Sequence, residues 1–311
     1  MKHISYFLFF VAALLTLQSC EEAYIPDTNQ IDQQYVVEGY IENGANALPT
    51  YVLVTRSIPY ISSIGPDLFS TLFVKGAMVT VNDGEKEVQL TQLCTADLPP
   101  DIRKLALETL GFNPDSTMID LCVYVDLTNQ ITKKVGQKYD LKVEVDGNVM
   151  TASTTIPPFA PLFDFRWDDP PGEPSDSLAR LWTKIADPDG PNFYRYLTAE
   201  NDGRLIPPFQ STTDDVFFEG KEFEFPISKA ETRDGDFDPE SFGLFSRGDS
   251  ITIKWCTLDK EHFDFWNTRD FASNSGGPFS SYTRIKTNIK GGLGIWGGYS
   301  VGTYRLYCPP K

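Results

Sequence analysis

The chain has 311 residues, 43 acidic against 27 basic side chains, and a formal net charge of −16. So little positive charge cannot hold a phosphate backbone, which excludes nucleic acid as a partner class; acidity suits solubility outside the cell, divalent cations or basic ligands. The length is sufficient for two domains of ordinary size.

Lys2 and His3 precede an apolar run from Ile4 to Leu17, broken only by Ser5 and Thr16, which ends at Leu17-Gln18-Ser19-Cys20. A charged start, a short apolar segment and a small residue before the cleavage point make an export signal. The run is shorter than the about twenty residues that a spanning helix needs. Leu-Gln-Ser-Cys resembles the bacterial lipobox, in which the cysteine thiol is diacylated and becomes the mature N-terminus. Residues 1–19 are therefore expected to be a signal peptide and Cys20 the lipidation site; two acyl chains anchor stably where one binds only marginally. Glu21 and Glu22 resemble the acidic export tag of Bacteroidota surface lipoproteins, which implies an outer-membrane anchor facing the cell exterior. Residues 20–33 are polar without a sustained period and read as a linker.

Residues 34–157 read as a first β-sandwich. Tyr35–Ile41, Tyr51–Thr55, Ala77–Val81, Glu87–Thr91, Leu121–Asp126, Tyr139–Val145 and Val149–Thr155 are rich in β-branched and aromatic residues. Asn82-Asp83-Gly84 and Asp146-Gly147-Asn148 suit tight hairpin turns. Prolines 99 and 100 and Gly111 bracket a short helix whose stripe is Ile102, Leu105, Ala106 and Leu110. It lies between Cys94 and Cys122. Four cysteines beyond Cys20 allow three pairings; we take the local ones, Cys94–Cys122 and Cys256–Cys308, because each falls within one half of the chain. The helix then reads as a stapled loop guarding a sheet edge in preference to a ligand flap.

Pro157-Pro158-Phe159-Ala160-Pro161 cannot continue a sheet ladder and marks a domain boundary. Residues 158–311 read as a second sandwich, with strands Phe163–Trp167, Leu178–Ile185, Phe193–Glu200, Val216–Phe218, Glu222–Phe225, Ser250–Cys256 and Gly302–Cys308. Phe163, Phe165 and Trp167 alternate as residues facing a core would. Asp259–Ala272 lacks turn residues and reads as a second helix with Phe263 and Trp266 on one face. The fold class is mainly β: two immunoglobulin- or fibronectin-like sandwiches in tandem with one or two short helical insertions.

Val36-Val37-Glu38-Gly39, Tyr139-Asp140-Leu141-Lys142-Val143, Asp187-Pro188-Asp189-Gly190, Arg247-Gly248-Asp249 and above all Thr287-Asn288-Ile289-Lys290-Gly291-Gly292-Leu293-Gly294-Ile295-Trp296-Gly297 follow Cys20 in this order. The arrangement resembles the domain-of-unknown-function 4249 family of predicted Bacteroidota lipoproteins, across nearly the whole mature chain. Members are often encoded beside TonB-dependent receptors, so the resemblance implies a part in outer-membrane uptake with such a receptor as partner. It brings no catalytic residues to carry over.

Gly292 to Gly297 spells GxGxxG, but a dinucleotide site needs a strand before it, a helix after it and an acidic residue about twenty positions on. The short remainder reads as a strand, so the glycines are expected to permit turns or close packing beneath Trp296 and Tyr299. Asp234, Asp236 and Asp238 alternate in a loop that could hold calcium, with Asp187 and Asp189 a weaker second candidate. His262 is the sole histidine after residue 19, and no nucleophile elbow exists. Trp167, Trp255, Trp266 and Trp296 could stack on ligands, with core placement the default. The expectation is a non-enzymatic binding or accessory lipoprotein, with an extracellular adhesive protein or a carboxylate- or metal-dependent hydrolase as alternatives.

Overall fold

A computed structural model describes residues 33–45, 47–58, 72–109, 120–232, 238–274 and 283–311. The chain is mainly β. Its first half holds β1 (Tyr35–Asn43), β2 (Tyr51–Arg56), β3 (Met78–Asn82), β4 (Glu87–Gln89), β5 (Thr91–Cys94), helix α1 (Pro100–Thr109), β6 (Cys122–Val125), β7 (Lys138–Val145) and β8 (Asn148–Thr155). The second holds β9 (Leu162–Asp168), β10 (Leu178–Ala186), β11 (Phe193–Glu200), β12 (Thr212–Asp214), β13 (Glu222–Ile227), β14 (Phe245–Ser246), β15 (Ser250–Leu258), helix α2 (Lys260–Asn274) and β16 (Leu293–Tyr307).

An eight-stranded sheet, ordered β12-β11-β15-β16-β1-β2-β6-β5, takes strands from both halves. Its centre is a parallel pairing of β1 with β16, Val36 opposite Leu293 through Asn43 opposite Ser300. Sheet β4-β3-β7-β8 packs against the part built on β1, β2 and β6. The strands β9, β10, β13 and β14 pack against the part built on β11 and β15. Tandem domains divided at Pro157 would each keep their own sheets; here one sheet serves both cores, because the last strand returns to lie beside the first.

The cores repeat one device. Trp296 of β16 is buried in the first and donates its indole N–H to Tyr139 O at 3.0 Å. Trp255 of β15 is buried in the second and donates to Ala160 O at 3.0 Å. Each large ring removes apolar area from water, and each polar edge is satisfied by the facing layer. β7 alternates strictly, with Tyr139, Leu141, Val143 and Val145 inward, and its hairpin to β8 turns on Asp146 and Gly147, both at positive φ.

Several strands depart from the expected ones. Glu87–Thr91 breaks at Leu90: β4 stays in the smaller sheet while β5 crosses to the large one. In β9, Asp164 and Phe165 together oppose Thr183, a β-bulge with Asp164 at φ +56°. The extra residue reverses the alternation, so Phe165 and Trp167 face the core while Phe163 is exposed. Val216–Phe218 is no strand. Phe218 N–H bonds to Asp215 O and Lys221 N–H to Phe218 O, closing consecutive turns that leave Phe217 89% exposed. The last strand starts nine residues before the expected Gly302, at Leu293, running straight through the glycine-rich motif.

Cys94 and Cys122 form a disulfide across β5 and β6. It sits with Leu107 of α1, Phe73 and Leu121 in a small buried cluster at a sheet edge; the inward face is therefore Leu107's and not the expected stripe, whose Ile102 and Leu105 are exposed. The second expected bridge is absent: Cys256 and Cys308 are both buried free thiols. Cys256 lies opposite Val301 in the β15–β16 ladder. Cys308 is therefore about 23 Å further along the strand, far beyond the reach of a disulfide.

Candidate binding grooves beside the 287–293 strap

Residues 287–293 cross from one sheet to the other and form a strap. Lys290 exchanges both backbone hydrogen bonds with Thr151 of β8, at 2.8 and 3.0 Å. Asn288 acts as a backbone surrogate. Its Oδ1 accepts Trp296 N–H at 3.0 Å, and its Nδ2 donates to Trp296 O at 2.8 Å and Ser153 O at 3.3 Å. Ile289 enters the first core. Beyond the strap, Gly294 at φ +108° places its α-carbon so close to Val37 that a Cβ would lie 2.0 Å from Val37 O. A Cβ on Gly297 would lie 2.6 Å from the His262 ring. The glycine motif thus serves close packing, and its residues are consumed by structure.

The strap walls two open grooves. The first, about 510 Å³, lies over the polar face of β3, β7 and β8 and is lined by Glu87, Asp140, Lys142, Glu261, Asn288 and Lys290. Asp140 is already engaged: it accepts Ser153 Oγ at 2.5 Å and pairs with Lys138 at 2.6 Å, and these contacts hold its carboxyl below the usual range against the opposing effect of burial. The second groove, about 560 Å³, opens on the other side of the strap where the chain enters the fold, with Gln33, Gln34, Arg56, Asn148, Arg284 and Thr287 among its walls. Arg56 lies over the Tyr35 ring at 4.7 Å and bonds Asp146 at 2.9 Å.

Helix α2 sets the wall of the first groove. Asp259 caps it, accepting His262 N–H at 2.7 Å with Oδ1. Its Oδ2 accepts the Thr154 hydroxyl and Thr155 N–H, which ties α2 to β8 of the first half. Burial raises the Asp259 carboxyl to about 6 despite these donors. One turn on, His262 is buried between Tyr40 and Tyr299, at centroid distances of 5.3 and 5.4 Å, with Nδ1 3.4 Å from Gly298 O. Burial, and then the nearby Arg195 charge, depress His262 to about 3, so the ring is neutral at physiological pH.

Around this helix the same sheet face carries a buried polar network in which Trp266 Nε1 and Asp270 Oδ1 have no hydrogen-bond partner among the described residues. Glu42, 4% exposed, accepts Tyr299 Oη at 2.5 Å and Lys254 Nζ at 3.0 Å. Arg195 stacks on Trp266 at 3.6 Å and donates to Ser211, which donates to Asp270 at 2.6 Å. Burial pushes the nearby Cys256 thiol up to about 12, so it is no thiolate nucleophile. The arrangement fixes α2 on the sheet and leaves neighbouring Glu261 exposed to the groove.

The sequence-derived candidates scatter. Cys20, Asp234 and Asp236 lie outside the described residues. Asp238 is exposed and engaged locally, accepting Glu240 N–H at 3.0 Å and Ser241 Oγ at 2.7 Å. No group of three or more potential metal-ligating side chains occurs among the described residues. Asp187 is buried as an acceptor for Tyr194 Oη at 2.5 Å and Gly220 N–H at 3.0 Å, a structural turn. Arg247 clamps the C-terminal end through Ser175 O, Leu178 O and Pro309 O and pairs with Asp169. Trp255 and Trp296 are core; Trp167 and Trp266 are half-buried. Arg56 and Arg284, which share a groove, carried no sequence signal, since nothing local marks residues that only the β1–β16 pairing brings together. No helix among the described residues is long and apolar enough to cross a membrane.

No curated protein and no solved structure matches this chain. The profile of the family described as Domain of unknown function (DUF4249) matches residues 21–305, from just after Cys20 to near the end of β16, and the chain belongs to that family.

Proposed function

We propose that the chain is a lipoprotein held at the outer membrane, facing the cell exterior, through acylated Cys20, and that it acts as a non-enzymatic binding or accessory subunit in nutrient uptake beside a TonB-dependent transporter. The observation that carries this reading is the pair of open grooves on either side of the 287–293 strap. Each half is an immunoglobulin-like sandwich fused to the other through the shared sheet, and the linker 20–33 gives reach. The mechanism is passive: the lipid confines the protein to the membrane plane, the rigid double core presents the grooves, and a ligand or receptor meets them. The burial of neutral His262 and protonated Cys256 supports binding over nucleophilic or general-base chemistry.

Affinity capture of the tagged protein from gently solubilised outer membranes tests the reading. A transporter is expected to co-purify in near-stoichiometric yield and to be lost from the Cys20→Ala variant. Recovery of the protein alone, under conditions that preserve other outer-membrane complexes, contradicts the accessory role.

A further inference from the structure

We infer that the second groove is a binding site for a phosphorylated ligand, a deepening that rests on the binding reading above. In a chain with 43 acidic and 27 basic residues, this groove is lined, among the described residues, by two arginines and no carboxylate. Its neighbour across the strap carries three carboxylates, Glu87, Asp140 and Glu261, against two lysines, Lys142 and Lys290. A local reversal of the molecule's overall sign, inside a concavity, is a selection for anions.

The arginines are in different states, and both favour a ligand. Arg56 is preoriented: its guanidinium stacks on Tyr35, and one terminal nitrogen bonds Asp146, which is held in turn by Tyr35 Oη at 2.8 Å. The remaining donors of the planar fork are left for another acceptor. Arg284 has no carboxylate within ion-pair distance among the described residues. Uncharged donors complete the wall: the amides of Gln33, Gln34 and Asn148 and the hydroxyl of Thr287. A carboxylate has two oxygens and is satisfied by one guanidinium fork; two guanidiniums, one of them already paired with Asp146, with several neutral donors match the larger set of oxygens of a phosphate monoester. The volume, about 560 Å³, admits a sugar phosphate or a lipid headgroup of that class.

Isothermal titration of the full-length protein in non-ionic detergent, with inorganic phosphate as probe, tests the site. One saturable site is expected, at least tenfold weaker for acetate, with affinity falling as salt rises from about 50 to about 500 mM. Arg284→Ala should lower phosphate affinity about tenfold with an unchanged melting temperature, since Arg284 is exposed and makes no ion pair among the described residues; Arg166→Ala, whose arginine lies on β9 outside the groove, should bind as wild type. No saturable binding, binding unaffected by Arg284→Ala, or a preference for acetate overturns the assignment. A short-chain phosphatidic acid below its micellar concentration separates the sources: binding tenfold tighter than inorganic phosphate assigns the site to a lipid headgroup, and equal or weaker binding to a soluble phosphate ester. These probes are soluble, so their outcome is independent of whether Cys20 is acylated or a transporter is captured.

Discussion

Asp259 and His262 are neighbours on one helical turn and carry opposite pH dependences. A carboxyl whose folded pKa is raised costs stability when ionised; the cost is full above about pH 6 and disappears as pH falls toward its unfolded value near 4. A histidine depressed to about 3 behaves the other way: the unfolded chain takes up a proton below about 6.5 that the folded chain refuses, so stability is lost as pH falls from 6.5 toward 3. Between pH 6 and 4 the two nearly cancel. Asp259→Asn keeps an acceptor for His262 N–H but removes the titration, exposing the histidine limb. The stability of the variant relative to wild type, from urea unfolding, should fall by about 2 kcal/mol between pH 7.5 and 4.5. A difference constant with pH would contradict the buried ionised carboxyl. Neither shift was legible in the sequence, where His262 was one residue in an aromatic helix; burial on both sides comes from Tyr40 and Tyr299, strands away.

At the scale of elements, β16 and α2 show what the glycine motif is for. Pattern excluded a dinucleotide site because no helix follows, and the structure supplies the reason glycine is required: α2 rests directly on the β16 backbone. Gly297→Ala would place a methyl 2.6 Å from a rigid imidazole ring, forcing the helix off the sheet, and should cost about 1–3 kcal/mol of unfolding free energy. Unchanged stability would show that α2 does not press on β16 as described. The alternating strands β7 and β8 and the proline start of α1 were readable because their signals are local. The β9 bulge was not, since one residue inserted against Thr183 leaves the hydrophobic pattern looking regular while reversing its phase. The second disulfide failed for a related reason: cysteine parity says nothing about where along a ladder each thiol falls.

For the whole molecule, the decisive feature is the parallel β1–β16 pairing, which joins the first and last strands and gives two cores one sheet. Its register depends on residues at opposite ends of the chain, and no periodicity reports it. The same pairing brings Arg56, Arg284 and the chain's entry at Gln33 around one groove, and so sets the candidate site next to the linker. That placement gives the N-terminus its importance: if Cys20 is the anchor, the groove sits at the tethered end of the molecule. The most direct test is the intact mass and N-terminal peptide mass of the protein purified from membranes of cells that make it. The expected product is a chain that begins at Cys20 and carries acyl groups, with Cys20→Ala recovered unacylated in the soluble fraction. A chain that retains residues 1–19, or one that begins elsewhere with an unmodified Cys20 thiol, would contradict it.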